Sequence, residues 1–146
     1  MRYTVLVADD NEEDRLLLRR SLRNCPALEV IQEIECADEL LAYFDGIGEF
    51  ADRARHPLPD LLLLDGVMPT GDAVKVLEAL RTHLNAGLKI VVLSGSSLPG
   101  ICEKTIELGA HACYLKTADL ARLDEIAKEI DAHMVNGDYD HQTHAC

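Results

Sequence analysis

The chain has 146 residues, 48% of them hydrophobic and only 4% aromatic with no tryptophan, and it carries a formal net charge of −12 at pH 7. That length holds one domain with an aliphatic core rather than two, and the acidic balance disfavours nucleic acid and anionic membrane as direct partners, because phosphate selects lysine and arginine clusters. No apolar run is long enough for membrane insertion and none resembles a secretory leader. The five cysteines, Cys25, Cys36, Cys102, Cys113 and Cys146, are scattered without paired spacing, so they read as reduced thiols of a cytoplasmic protein, Cys113 as a small buried core residue.

Tyr3 to Ala8 has the β-branched content of a strand and stops at Asp9-Asp10. Asn11 is placed to cap a helix whose first turn holds Glu12, Glu13 and Asp14, with Arg15, Arg19, Arg20 and Arg23 later, an order that complements the helix dipole. Leu18 and Leu22 face inward and the arginines form a solvated face. Leu28 to Ile34 reads as a second strand, and Ala37 to Phe44 as a second helix with Leu40, Leu41 and Phe44 inward and Gly46 as its stop. Ile47 to Pro59 is a charged connection, either loop or an extra helical turn.

Leu61 to Leu64 is a short, wholly apolar run, as expected of a strand buried on both faces. It ends in a carboxylate, Asp65, followed by the loop residues Gly66, Met68-Pro69 and Gly71. A third helix is expected from Asp72 to Leu84 on the stripe Ala73, Leu77, Leu80 and Leu84. Lys89 to Leu93 is a fourth strand ending at Ser94-Gly95. Pro99 suits the first turn of a fourth helix that presents Ile101, Thr105 and Leu108 and stops at Gly109. Ala112 to Leu115 is a short fifth strand ending at Lys116, and Asp119 caps a fifth helix reaching Met134. The domain is expected over residues 1–134, and residues 135–146 read as a polar, mobile tail, in which His141, His144 and Cys146 are tail residues rather than a metal cluster.

Strict alternation of five strands and five helices implies a parallel sheet with helices on both faces. The strand ends then share one rim, where open α/β sheets bind ligands. Asp9, Asp10, Asp65, Ser94 and Lys116 converge there. Carboxylates gathered in one pocket repel one another, and an all-oxygen set of this kind suits Mg²⁺. An Asp beside Mg²⁺, with an ammonium and a hydroxyl close by, suits phosphoryl transfer.

An acidic pair after strand one, Asp65 followed by x-x-Met-Pro after strand three (Met68, Pro69), Ser94-Gly95 after strand four and Lys116 after strand five together resemble a receiver domain of the two-component response regulators. The resemblance covers residues 3 to 134. It implies a five-stranded parallel sheet of flavodoxin-like order 2-1-3-4-5. It makes Asp65 the phosphoacceptor, with Mg²⁺ held by Asp9, Asp10, Asp65 and the backbone carbonyl of Val67. Lys116 would pair with the phosphoryl group, Ser94 would hydrogen-bond it and move, and Gly95 would keep the pocket accessible. It implies a sensor histidine kinase or histidine phosphotransfer protein as donor, a downstream protein partner met through helix four, strand five and helix five, and no multiple-turnover enzymology. Two positions depart from the family pattern: Thr117 stands where proline usually follows the lysine, and Cys113 where a switch aromatic is common, with Tyr114 on the opposite face of the strand.

Two other functions compete. One is an interaction module of the same fold that does not use phosphorylation, favoured by Cys113 and Thr117. The other is a phosphatase of the haloacid-dehalogenase kind, which needs a second Asp two residues after the nucleophile, where this chain has Val67.

Overall fold

The alternation of apolar runs and amphipathic stretches becomes alternating strands and helices. The computed structural model describes residues 2–95 and 100–139. In chain order the elements are β1 (Tyr3–Ala8), α1 (Glu12–Leu22), β2 (Leu28–Ile34), α2 (Ala37–Asp45), a 3₁₀ turn (Gly48–Phe50) and β3 (Leu61–Asp65). There follow β4 (Val67–Met68), β5 (Gly71–Asp72), α3 (Ala73–Ala79), α4 (Arg81–Asn85), β6 (Lys89–Ser94), α5 (Ile101–Glu107), β7 (Ala112–Leu115) and α6 (Leu120–Asn136). The main sheet runs β2-β1-β3-β6-β7, parallel throughout. With the small antiparallel β4–β5 ribbon set aside, this is the expected order 2-1-3-4-5.

Side chains alternate across a strand, so each strand feeds two cores. Leu6, Ala8, Leu62, Leu64, Ile90, Val92 and Cys113 pack on the side of α2 and α3. Val5, Val7, Leu61, Leu63, Val91, Leu93 and Tyr114 pack on the side of α1 and α6. Burial on both faces explains why β3 has no polar residue before Asp65. Asn11 caps α1, its Oδ1 accepting from Asp14 N at 3.0 Å. Gly46, at φ 67°, ends α2 in the left-handed region that a side chain disfavours.

Several expectations are corrected. The third helix bends at Leu80, whose φ of −97° and ψ of 15° separate α3 from α4. Leu80 is buried and its N–H still donates to Val76 O at 2.9 Å, so packing holds the bend without breaking the ladder. The 47–59 connection is tied down by Arg53, whose guanidinium donates to Tyr43 O and Phe44 O at 2.7 Å each and satisfies the last carbonyls of α2. Arg15 is not on a solvated face: its Nη1 donates to Asp9 O at 2.6 Å and its Nε meets Glu33 at 3.1 Å.

The packed domain also runs past Met134. Helix α6 continues to Asn136, Gly137 caps it, and Tyr139 is buried with its ring stacked on His133 at 4.7 Å between centroids. His141, His144, Cys146 and Pro99 lie outside the described residues.

The cysteines are not all reduced thiols. Cys102, in the first turn of α5, is joined by a disulfide to Cys113 on β7, with Cα atoms 5.5 Å apart. The helix turns Cys102 onto the face of the sheet where Cys113 points, which sequence spacing alone does not show. Cys25 and Cys36 are free.

Candidate functional site

The carboxyl ends of β1, β3, β6 and β7 assemble the site. β1 and β3 are adjacent and parallel, with Ala8 beside Leu64 in register, so the residues that follow them, Asp9 and Asp65, meet at the same rim. Carboxylate oxygens of Asp9, Asp10 and Asp65 all lie within 4.8 Å of one another. Asp9 and Asp65 are buried and Asp10 is exposed, so the cluster opens to solvent on one side. Asp9 Oδ1 also accepts from Asn11 N at 2.9 Å, which fixes that carboxylate to the turn entering α1.

Lys116 reaches into this cluster from the end of β7. Its Nζ lies 2.9 Å from Asp9 Oδ2, 3.2 Å from Asp65 Oδ2 and 2.9 Å from Asp14 Oδ2. Burial alone would lower the ammonium pKa. The hydrogen bonds the ammonium donates to Asp9 and Asp14, with the charge of Asp65, outweigh burial and raise it. The Asp65 carboxyl moves the other way from an ordinary acid. Burial, then the negative charge of Asp9, push it up to about 6, and Lys116 only partly offsets them.

Thr117 does not displace the lysine. The Lys116 N–H donates to Ser94 O at 2.7 Å, and Thr117 Oγ1 accepts from Asp119 N at 3.0 Å, closing the turn into α6. Ser94 is buried, and its hydroxyl donates to Gly95 O at 3.1 Å. A Cβ on Gly66 would sit 3.3 Å from Ser94 Oγ, so glycine is what lets the loop after Asp65 pass β6 so closely. The space beside Gly95 is open. Val67 exposes its side chain, while its N–H faces Asp65 Oδ1 at 3.4 Å. Cys113 is buried with Val92 as its β6 neighbour, and Tyr114 is on the opposite face, its hydroxyl donating to Glu129 on α6 at 3.3 Å.

The loop after Asp65 is held from outside the pocket. Thr70 Oγ1 accepts from Asp38 N at 3.0 Å and Pro69 O accepts from Ala37 N at 3.0 Å, so the start of α2 braces it. Two site residues escape sequence reasoning. Asp14 is one, since an acid in the first helical turn already has a sufficient reason in the helix dipole; its position one turn after Asp10 was the available signal. Arg15, which fixes the Asp9 carbonyl, is the other.

The donor set fits a hard divalent cation. It is all oxygen, two of its three carboxylates are buried, and the only ammonium contacting the cluster among the described residues is Lys116.

A family model describing the response regulator receiver domain matches residues 5–128. The chain is 32% identical over 130 residues to a protein-glutamate methylesterase/protein-glutamine glutaminase of Myxococcus xanthus, covering 88% of this chain and 34% of that protein. It thus spans about a third of the length of the methylesterase relatives it matches. Against the sporulation initiation phosphotransferase F of Bacillus subtilis it is 22% identical over 129 residues, 88% of this chain and 94% of that one. The phosphorylated cyanobacterial phytochrome response regulator RcpA superposes with a TM-score of 0.79 at 27% identity, covering 94% of this chain and 96% of that one. With the family model spanning most of the chain and the sheet order in agreement, the protein belongs to the response regulator receiver-domain family.

Proposed function

We propose that the chain is a response regulator receiver that accepts a phosphoryl group on Asp65 from a phosphohistidine, with Mg²⁺, and thereby changes its affinity for a protein partner. The observation that carries this is the convergence of Asp9, Asp10 and Asp65 on one another and of Lys116 on Asp65. An Asp65 carboxylate oxygen attacks phosphorus as the bond from phosphorus to the donor imidazole nitrogen breaks, and the imidazole leaves. When bound, Mg²⁺ offsets the charge of the carboxylates and of the phosphoryl oxygens. Asp9, Asp10, Asp65 and the Val67 carbonyl would hold it. Lys116 takes up a phosphoryl oxygen by exchanging one of its present carboxylate contacts, and Ser94 donates its hydroxyl to another. Gly95 leaves the approach open.

The donor is a sensor histidine kinase or a histidine phosphotransfer protein, and the downstream partner meets the surface of α5, β7 and α6. The acidic charge disfavours nucleic acid as a direct ligand. No helix among the described residues is long and apolar enough to cross a membrane; a cytoplasmic location belongs to the proposed function. The phosphatase alternative lacks its second acid, since Val67 occupies that position. The phosphorylation-independent module loses part of its support, because Lys116 contacts Asp65 despite Thr117.

The test is chemical trapping. After incubation with acetyl phosphate and Mg²⁺, borohydride reduction of an aspartyl phosphate leaves a homoserine that peptide mass mapping locates. Homoserine at position 65 is expected. Trapping at another position would contradict the assignment, and partner binding indifferent to Asp65→Asn would favour the phosphorylation-independent module.

A further inference from the structure

Away from the acidic pocket, α5 lies on the sheet through a small apolar contact, in which Cys102, Ile106 and the following Leu108 pack partly buried against the core, and through one covalent bond. Thr105 is the only buried residue of α5, and Cys102 and Ile106 are half-buried. The Thr105 hydroxyl donates to the Ile101 and Cys102 carbonyls of its own helix rather than to the sheet. Gly100, which precedes the helix, offers no side-chain cap. A seven-residue helix has little stability of its own, so the bond from Cys102 to Cys113 adds a covalent tie to a modest apolar contact.

The two sulfurs differ in access. Cys113 is closed to solvent, in register with Val92 on β6. Cys102 is half-buried at the start of the helix. An exchange partner therefore enters at Cys102. Cys25 and Cys36 are free, so pairing selects this site among the described cysteines.

We propose that Cys102 and Cys113 are a reversible thiol–disulfide exchange site for low-molecular-weight disulfides and thiols of the glutathione class, and that its state sets how firmly α5 is held to β7. In the oxidising direction the Cys102 thiolate attacks one sulfur of glutathione disulfide and one glutathione thiolate leaves. The Cys113 thiolate then attacks the Cys102 sulfur and the second glutathione thiolate leaves. The two protons lost from the cysteines end on the two glutathione thiols, so one disulfide replaces another and no further oxidant is consumed. Reduction by excess glutathione runs the same steps backward. In a reducing compartment a protein disulfide of this kind is transient or redox-sensing rather than a permanent staple.

The bond lies close to the acidic pocket. Cys113, on β7, is three residues before Lys116, which follows the end of that strand, and Val92, its neighbour on β6, is two residues before Ser94. An influence on phosphorylation rests on the reading of Asp65 as phosphoacceptor. The exchange chemistry and the tethering of α5 do not.

The test uses the full chain equilibrated in glutathione buffers from strongly reducing to strongly oxidising, then alkylated and mapped by mass. Amide hydrogen exchange is followed at both ends of the series, with Cys102→Ser as a variant at a half-buried position. A single reversible transition of the Cys102–Cys113 pair is expected, with exchange in α5 at least about tenfold slower in the oxidised form. Cys102→Ser is expected to give the fast exchange under both conditions. A pair that stays bonded at the reducing end is a structural staple, and a pair that stays open at the oxidising end is no exchange site; either overturns the proposal. So does equal α5 exchange in the two forms. Acetyl phosphate treatment of both forms separates the two ideas, since loss of phosphoryl gain in both would count against Asp65 and leave the thiol transition intact.

Discussion

Asp65 has a carboxyl whose burial and proximity to Asp9 raise its pKa from 3.8 to about 6. The folded state therefore holds that proton more tightly than the unfolded chain. Its contribution to stability is fully present below the unfolded value of 3.8 and is lost as pH rises through about 6. Asp65→Asn removes the ionisation. In EDTA at neutral pH the variant is expected to be more stable than the parent by up to about 3 kcal/mol. The advantage should shrink as pH falls through 6 and vanish below 3.8, which urea unfolding across pH would show. A constant difference at all pH values would mean that the carboxylate is not penalised in the fold. Lys116→Ala leaves Asp9 and Asp65 buried without their cation, and about 2 kcal/mol or more of stability is expected to be lost at neutral pH. Asp14→Asn should cost much less, because the Asp14 side chain is 37% exposed and water screens its pair. The same substitution leaves Lys116 with one fewer competitor, so initial phosphorylation by a small phosphodonor should rise. A slower rate would show that Asp14 positions the lysine rather than restrains it.

At the scale of elements, the strands and most helices are legible in the sequence because period and chemistry agree. Leu61 to Leu64 is unbroken because β3 is buried on both faces, and Asn11, Gly46 and Asp119 mark helix ends by their capping chemistry. The misses share a cause: contact across elements overrides a sufficient local reading. The bend at Leu80 keeps the helical stripe intact, so periodicity does not reveal it. Arg15 looks like any arginine on a polar face until Glu33 and the Asp9 carbonyl are in place. Cys102 and Cys113, 11 residues apart, follow no motif spacing. Tyr139 stands two residues after Gly137 in a polar stretch, yet it is buried in the core on the side of α6. Tyr139→Ala is accordingly expected to cost about 2–4 kcal/mol in denaturant unfolding. A cost near zero would return this segment to a solvated tail. Gly66→Ala crowds Ser94 at 3.3 Å, and it should slow phosphoryl acceptance more than it lowers stability.

Across the whole molecule, two aliphatic cores hold a sheet whose functional groups lie at one rim. The gathering of Asp9, Asp10, Asp65 and Lys116 was legible, because strand ends of a parallel sheet converge whatever their distance in sequence, and Ser94 ends β6 with its hydroxyl turned to Gly95 O. The site was not legible at Asp14, which reaches the rim from a helix. Receiver domains as a family work with histidine kinases or phosphotransfer proteins, and the net charge of −12 disfavours nucleic acid as a direct ligand. On the proposed function, Asp65 accepts one phosphoryl group in a pocket that depends on a divalent cation. Intact mass after acetyl phosphate treatment, in Mg²⁺ and in EDTA, for the parent and Asp65→Asn, tests it most directly. The expected result is a gain of one phosphoryl group in the parent with Mg²⁺ alone, absent in EDTA and in the variant. A gain of the same size in Asp65→Asn, or one indifferent to EDTA, would contradict it.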